Sequence, residues 1–170
     1  EKAYDMRSIV TLAPNVALFI ARADSGIQKI SDLKGKRVII GPSGAGFEMF
    51  VQPVVEEHGV KWSDFTQLNA TQSGAVDMLG DGAADAAFLG GAVPTASITQ
   101  ATSTFSVQFV PFDEEARLRL IEKYPFFHEA NIPAGTYKGL DSEFKGLNVG
   151  SMHMITSADQ DEELVYQLTK

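Results

Sequence analysis

Residues 37–48, Arg37-Val38-Ile39-Ile40-Gly41-Pro42-Ser43-Gly44-Ala45-Gly46-Phe47-Glu48, decide how the chain is read. Val38, Ile39 and Ile40 form a short, wholly apolar run next to glycine, the pattern of a strand covered on both faces in a parallel sheet. Beyond the glycines, Phe50, Val51, Val54 and Val55 recur at helical spacing, which predicts a helix from about Phe47 to His58 with Gly59 ending it. Pro53 inside that stretch removes one backbone hydrogen bond and predicts a kink or a late helix start. Strand, glycine turn and helix in this order are the opening unit of an α/β fold.

The alternation continues downstream. Phe65–Leu68 reads as a strand, Gln72–Leu79 as a helix closed by Gly80-Asp81-Gly82, and Ala86–Leu89 as another buried strand. Gly90-Gly91-Ala92-Val93-Pro94 then opens a helix with proline in its first turn, ending near Thr102, and Phe105–Phe112 is a strand. From Arg37 to Phe112 this predicts right-handed crossovers and a mostly parallel sheet flanked by helices. Asp113 caps a helix that reaches Tyr124 and stops at Pro125. A strand is expected near Leu147–Ile155, and Ser157 with Gln160 forms a capping box for a last helix carrying Leu164, Val165 and Leu168. Upstream, Ser31 caps one helical turn closed by Gly35, and strands Met6–Leu12 and Val16–Ala21 flank a turn or kink at Ala13-Pro14-Asn15. The last helix has no terminator and the first strand begins within a few residues of Glu1, so the 170 residues are expected to be a piece of a longer chain.

Composition narrows the class. Hydrophobic residues are 44% and charged residues 21%, the balance of a folded globular domain. A net charge of -8 with scattered Lys and Arg argues against nucleic acid, whose phosphates require clustered cations. With no cysteine there is no disulfide, thiolate metal site or thiol nucleophile. No apolar run approaches the ~20 residues of a membrane span, and the first five residues have no signal-like apolar core. A soluble chain whose export signal has been removed is expected.

Two glycine-bearing junctions carry the candidate chemistry. In Gly41–Glu48, free N–H groups at a helix start suit a carboxylate or phosphate, while a tight turn without ligand fits the same residues. Nucleotide readings fit less well: Phe47-Glu48 stands where a P-loop has Lys and Ser or Thr, and the glycine order is not G-x-G-x-x-G. The second junction, Gly90-Gly91-Ala92, follows the next buried strand but one. Both lie at carboxyl ends of strands, where ligands bind in open parallel sheets. Catalytic and metal signals are weaker. His58 reads as a cation at a helix end, and it, His128 and His153 are not at ligand spacing. Asp81 reads as a turn residue and Asp85 as leading a strand. Ser43 is not in G-x-S-x-G, and Trp62 and Phe65 read as packing.

Several segments together resemble one family, the TAXI-type solute receptors of tripartite ATP-independent periplasmic (TRAP) transporters. They are Arg22-Ala-Asp-Ser-Gly-Ile27, Asp32-Leu-Lys-Gly-Lys-Arg-Val38, Gly41-Pro-Ser-Gly-Ala-Gly46, Asp81-Gly-Ala-Ala-Asp-Ala-Ala-Phe88, Tyr124-Pro-Phe-Phe127, Ile132-Pro-Ala-Gly-Thr-Tyr137 and Val165-Tyr166. The Tyr124–Phe127 and Ile132–Tyr137 motifs point to this family; the Asp32–Val38 segment is shared by many type 2 periplasmic binding proteins. The resemblance implies an α/β periplasmic-binding-protein type 2 lobe with partial hinge and first-lobe elements. Residues 1–30 would be first-lobe and hinge strands, 31–140 the second lobe with its extension, and 141–170 the return segment.

By position, the resemblance implies that Ser43, Gly44, Ala45, Gly46 and Phe47 hold a ligand carboxylate, Gly91 and Ala92 line the facing side, and Asn15 stands at the hinge. Family members often carry a small hydroxyl residue where this chain has Phe47. The implied protein is periplasmic, binds a small organic acid or amino acid between two lobes, and delivers it to a TRAP permease. No cofactor, metal or catalytic residue is implied, and the protein would not be an enzyme. A ligand-sensing domain of a regulator or receptor kinase with the same fold is the alternative. As one wall of a cleft, the chain is expected to bind ligand weakly by itself and to self-associate.

Overall fold

Val38 and Ile39 are fully buried, as an apolar run covered on both faces requires. They belong to β2 (Arg37–Ile39), which pairs in parallel with β3 (Thr66–Leu68) and β4 (Ala86–Gly91). The computed structural model describes residues 5–170; the first four, part of the expected 1–30 segment, lie outside the described residues. Helices α1 (Glu48–Glu57), α2 (Gln72–Gly80) and α3 (Ala96–Thr104) follow β2, β3 and β4 in turn. β5 (Val107–Val110) and α4 (Glu114–Lys123) come next, then β6 (His128–Ile132), β7 (Phe144–Ser157) and α5 (Glu162–Leu168).

The first strand, β1 (Met6–Arg22), is the longest and organises the sheet. Its second half is fully buried and runs antiparallel to β4 along one edge, Val16 opposite Gly91 and Ala21 opposite Ala86. Its other edge pairs with β7 as far as Ala17 and with β5 from Phe19 onward, again antiparallel. Strands β2 to β5 therefore share one direction and β1 opposes them. With β6 antiparallel to β7 the complete sheet is mixed, in the order β3-β2-β4-β1-β7-β6. A strand that enters the sheet without a crossover helix is under no constraint to run parallel.

Beyond Val16, β1 and β7 leave the lobe as a two-stranded ribbon, Met6 opposite Ser157 and Pro14 opposite Ser151. The predicted interruption at Ala13-Pro14-Asn15 is a kink within a continuous strand. Pairing shifts register on either side of Pro14, whose nitrogen has no hydrogen to donate. The core lies on the other side of that kink. Leu18, Phe19 and Ile20 belong to one buried cluster with Leu33, Ile39, Val54, Leu79, Phe88 and Ile98, and the Phe19 and Phe88 rings pack edge-on at 5.0 Å.

Several local readings are corrected. β4 runs on through Gly90 and Gly91, so Pro94 precedes α3 instead of sitting in its first turn. Ser31 does not cap the turn Ile30–Leu33; the Asp32 carboxylate accepts the N–H groups of Gln28 and Lys29. Ser157 ends β7, and α5 is capped by Asp161, which accepts the Leu164 N–H at 3.0 Å. α1 starts at Glu48 with Pro53 inside it, so the late start does not occur. Asp113 does cap α4, accepting the Ala116 N–H.

Candidate functional site

The carboxyl ends of β2, β3 and β4 form one edge, and three turns leave it. The Gly41–Phe47 turn is fixed to the next one by the Gly41 carbonyl, which accepts from Asn69 Nδ2 at 3.1 Å and the Ala70 N–H at 3.2 Å. Gly41 has φ +110°, and a Cβ there would lie 2.6 Å from Cγ of Phe47, so the half-buried Phe47 ring packs directly on the glycine. Gly44 and Gly46 both have φ of +73°, with nothing within 4 Å of an added Cβ. Ala45 donates to the Pro42 carbonyl and Met49 to that of Gly46. Among the described residues the N–H groups of Ser43, Gly44, Gly46 and Phe47 have no backbone partner, and Ser43, Gly44 and Ala45 are exposed. Such a turn can donate several hydrogen bonds to one oxyanion without a charged side chain.

The second predicted loop sits at the end of β4. Gly90 is wedged against β1: an added Cβ would be 2.9 Å from Ala17 Cβ and 3.0 Å from Asn15 Oδ1. Asn15 is thereby brought to the same edge, at the kink where the ribbon departs. Gly91 and Ala92 line a hollow of about 390 Å³ together with Gln72, Ser73, Thr95 and Gln100. Ser43–Phe47 leave the adjacent parallel strand and do not line that hollow, so Gly91 and Ala92 stand beside that turn on the same edge and not on the facing side expected. Larger hollows of about 420 and 570 Å³ lie beside His58 and between β5 and the start of β7, and neither includes a residue of either glycine loop.

Gln72 was not among the candidates. From the first turn of α2 its Nε2 donates to the Gly90 carbonyl and its Oε1 accepts from Ser97 Oγ, both at 2.7 Å. Its only signal in the sequence is its place after Thr71, which caps a helix at the same edge as the two glycine turns. Tyr137 also enters here, its hydroxyl accepting the Thr95 N–H at 2.8 Å. No acidic residue occupies the first turn of α2 or α3, whereas α1 has Glu48.

The histidines stand apart. His58 is not the helix-end cation expected. Its Nε2 accepts the Asp113 N–H at 3.0 Å and its Nδ1 lies 2.7 Å from the Val54 carbonyl, a pairing that requires the neutral ring protonated on Nδ1. Burial holds its pKa below the ordinary value. His153 is exposed on β7, with Nδ1 3.1 Å from Thr11 Oγ1, and His128 begins β6. Asp85 receives the backbone N–H and guanidinium of Arg37 at the start of β2, and that hydrogen bonding lowers its pKa. Trp62 and Phe65 pack edge-on at 5.4 Å.

Residues 1–170 match the NMT1-like family. The chain belongs to the NMT1-like family. Solved structures place its fold among periplasmic binding proteins. The alkanesulfonate-binding protein SsuA of Xanthomonas axonopodis pv. citri, bound to MOPS, has a TM-score of 0.56 at 17% identity, covering 97% of this chain and 46% of that one. The Escherichia coli aliphatic sulphonate binding protein SsuA gives 0.50 at 17% identity over 64% and 36%. A Brucella ovis ABC transporter periplasmic binding protein with glutathione bound gives 0.52 at 10% identity over 95% and 39%. This NMT1-like chain thus spans between about a third and a half of the proteins it matches. At such identities the likeness is one of fold. Among the described residues no helix is long and apolar enough to cross a membrane.

Proposed function

We propose that this chain is one lobe and the hinge strands of a periplasmic solute-binding receptor that closes on a small carboxylate or amino acid. The observation that carries the reading is the direction of the ribbon. β1 passes Gly91 and continues outward from the very edge where the glycine turns end. A second body joined through Met6–Pro14 and Ser151–Ser157 would stand over those turns, and hinge closure would trap a solute between them. In this reading residues 31–140 are the lobe, and 1–30 and 141–170 lead to the other one.

Ser43 to Phe47 would supply N–H groups and the Ser43 hydroxyl to a ligand carboxylate, Gly91 and Ala92 the neighbouring rim, and Asn15 the hinge side. The work is binding and closure, with no catalytic residue. Delivery to a TRAP permease rests on the Tyr124–Phe127 and Ile132–Tyr137 motifs of the TAXI resemblance.

Calorimetry of the full receptor against dicarboxylates, monocarboxylates and amino acids tests the binding role. Saturable binding with a ligand-dependent fall in radius of gyration is expected; a receptor that binds none of them and never closes overturns the reading. For the permease, uptake reconstituted with a TRAP membrane subunit should proceed without ATP. A strict requirement for an ATP-hydrolysing partner would contradict that assignment.

A further inference from the structure

We infer that Gln72 is the positioning residue of the ligand wall: it holds the Gly90–Ala92 rim in its ligand-ready conformation and ties it to the start of α3. The inference rests on reading this edge as the ligand wall. Three elements that share no backbone hydrogen-bond ladder at this point meet in one side chain. Gln72 is in the first turn of α2, Gly90 is near the end of β4, and Ser97 is in the first turn of α3. The amide uses both ends, donating to the Gly90 carbonyl and accepting from the Ser97 hydroxyl, each at 2.7 Å.

Only glycine fits at position 90 against β1, because an added Cβ would stand 3.2 Å from the Ala17 backbone and 3.0 Å from the Asn15 carboxamide. The Gly90 carbonyl is gripped by Gln72 from α2. The following Gly91 is at φ +153°, a conformation with little intrinsic preference for one rim geometry. Pairing with β1 holds Gly90 and Gly91 on one side; across the turn the rim is tied by Gln72 at Gly90, by the Thr95 hydroxyl donating to the Ala92 carbonyl at 3.1 Å and by the Thr95 N–H to Tyr137 hydroxyl bond. Displacement of β1 at Asn15 during hinge motion is passed to Gly90, and Gln72 decides whether the rim follows or holds.

Two variants of the full receptor test this. Gln72→Met keeps length and volume but removes both hydrogen bonds. Amide exchange of the buried Thr95, whose N–H is bonded to the Tyr137 hydroxyl at the end of the rim, should quicken roughly tenfold in the ligand-free protein, the equivalent of one lost hydrogen bond, while α1 and β3 keep their protection. Unchanged exchange at the rim overturns the inference. Gln72→Glu keeps the acceptor for Ser97 but, when ionised, opposes the Gly90 carbonyl; when protonated it donates again.

With succinate and L-glutamate as probes, affinity of Gln72→Glu relative to wild type should rise as pH is lowered from about 7 to 4, through the ordinary carboxyl range near 4.3, while the uncharged Gln72→Met should lose affinity without that pH dependence. A flat ratio across that range also overturns the inference. Failure of the wild-type receptor to bind any carboxylate is a different result, which removes the ligand-wall reading while the exchange measurement still decides what Gln72 positions.

Discussion

The Phe47 ring lies against Gly41, so close that a Cβ on the glycine would sit 2.6 Å from its Cγ. The contact closes the turn on itself: the strand ends at a glycine with φ +110°, and the helix that follows sends its N-cap side chain back over it. Gly41→Ala should destabilise the fold by about 1–3 kcal/mol in urea denaturation, from the clash and the positive φ together. Adding Phe47→Ala should recover part of the loss, because the ring contacts go while the Cβ contact at 2.9 Å and the positive φ remain, giving a coupling of about 0.5–2 kcal/mol. Strictly additive effects would show that the ring and the glycine do not determine one another.

His58 predicts a pH dependence. Its neutral ring links the end of α1 to the start of α4, and burial lowers its pKa in the folded protein. An unfolded histidine titrates near pH 6.5. Below that value the unfolded chain binds the proton more readily, so stability falls as pH drops from about 7 and levels only once folded His58 itself titrates. Denaturation at pH 7.5 and 5.5 should show a steeper loss in wild type than in His58→Phe. Equal slopes would mean that His58 is not buried as a neutral acceptor.

Arg117 is 3% exposed in α4, where its guanidinium meets the Glu114 carboxylate at 3.2 Å and reaches toward the Gly146 carbonyl of β7 at 3.4 Å. Arg117→Leu should lower stability by about 1–3 kcal/mol, chiefly by leaving the buried carbonyl without its partner. Because Glu114 is half-exposed and also meets Lys145, Lys145→Ala should change stability by less than about 1 kcal/mol. Chemical denaturation of the two variants checks the order of these effects, and a larger loss for Lys145→Ala would reverse it.

The ribbon and α5 carry uncovered apolar side chains: Met6, Leu12, Ile155, Leu164 and Tyr166 are each about half exposed or more. Apolar surface of this kind drives association. The 170-residue chain should therefore form concentration-dependent dimers in light scattering, and Leu12→Asp with Leu164→Asp should shift it to monomer. A clean monomer at all concentrations would show that these side chains do not pair.

The βα alternation from Val38 to Phe112 was legible because the change from apolar runs to helical spacing is a property of local sequence. The direction of β1 was not, since Leu18 to Ala21 are buried on both faces and look alike in parallel or antiparallel pairing. β6 was missed for the opposite reason: only Ile132 in it is buried, so His128–Ile132 shows no alternation. Ser157 and Gln160 have the spacing of a capping box, yet Asp161 is nearer the helix and takes the role. Both glycine turns were visible from their residues. The bond from Gln72 to Gly90 joins positions eighteen apart, and no local pattern encodes it.

The most direct test concerns Gly46 in the full receptor. Its φ is +73° and nothing lies within 4 Å of an added Cβ, so a larger side chain meets no internal neighbour. Gly46→Val should still fold, at a cost of about 1–2 kcal/mol for the strained backbone, while its β-branched side chain blocks approach to the Ser43–Phe47 N–H groups. Ser43→Ala should lose only a hydrogen bond to a charged group, about 1.5–3 kcal/mol of binding. The deciding measurement is carboxylate affinity by calorimetry for wild type and Gly46→Val at matched fold content. At least a tenfold loss is expected; a folded Gly46→Val receptor with full affinity would contradict the ligand wall at this turn.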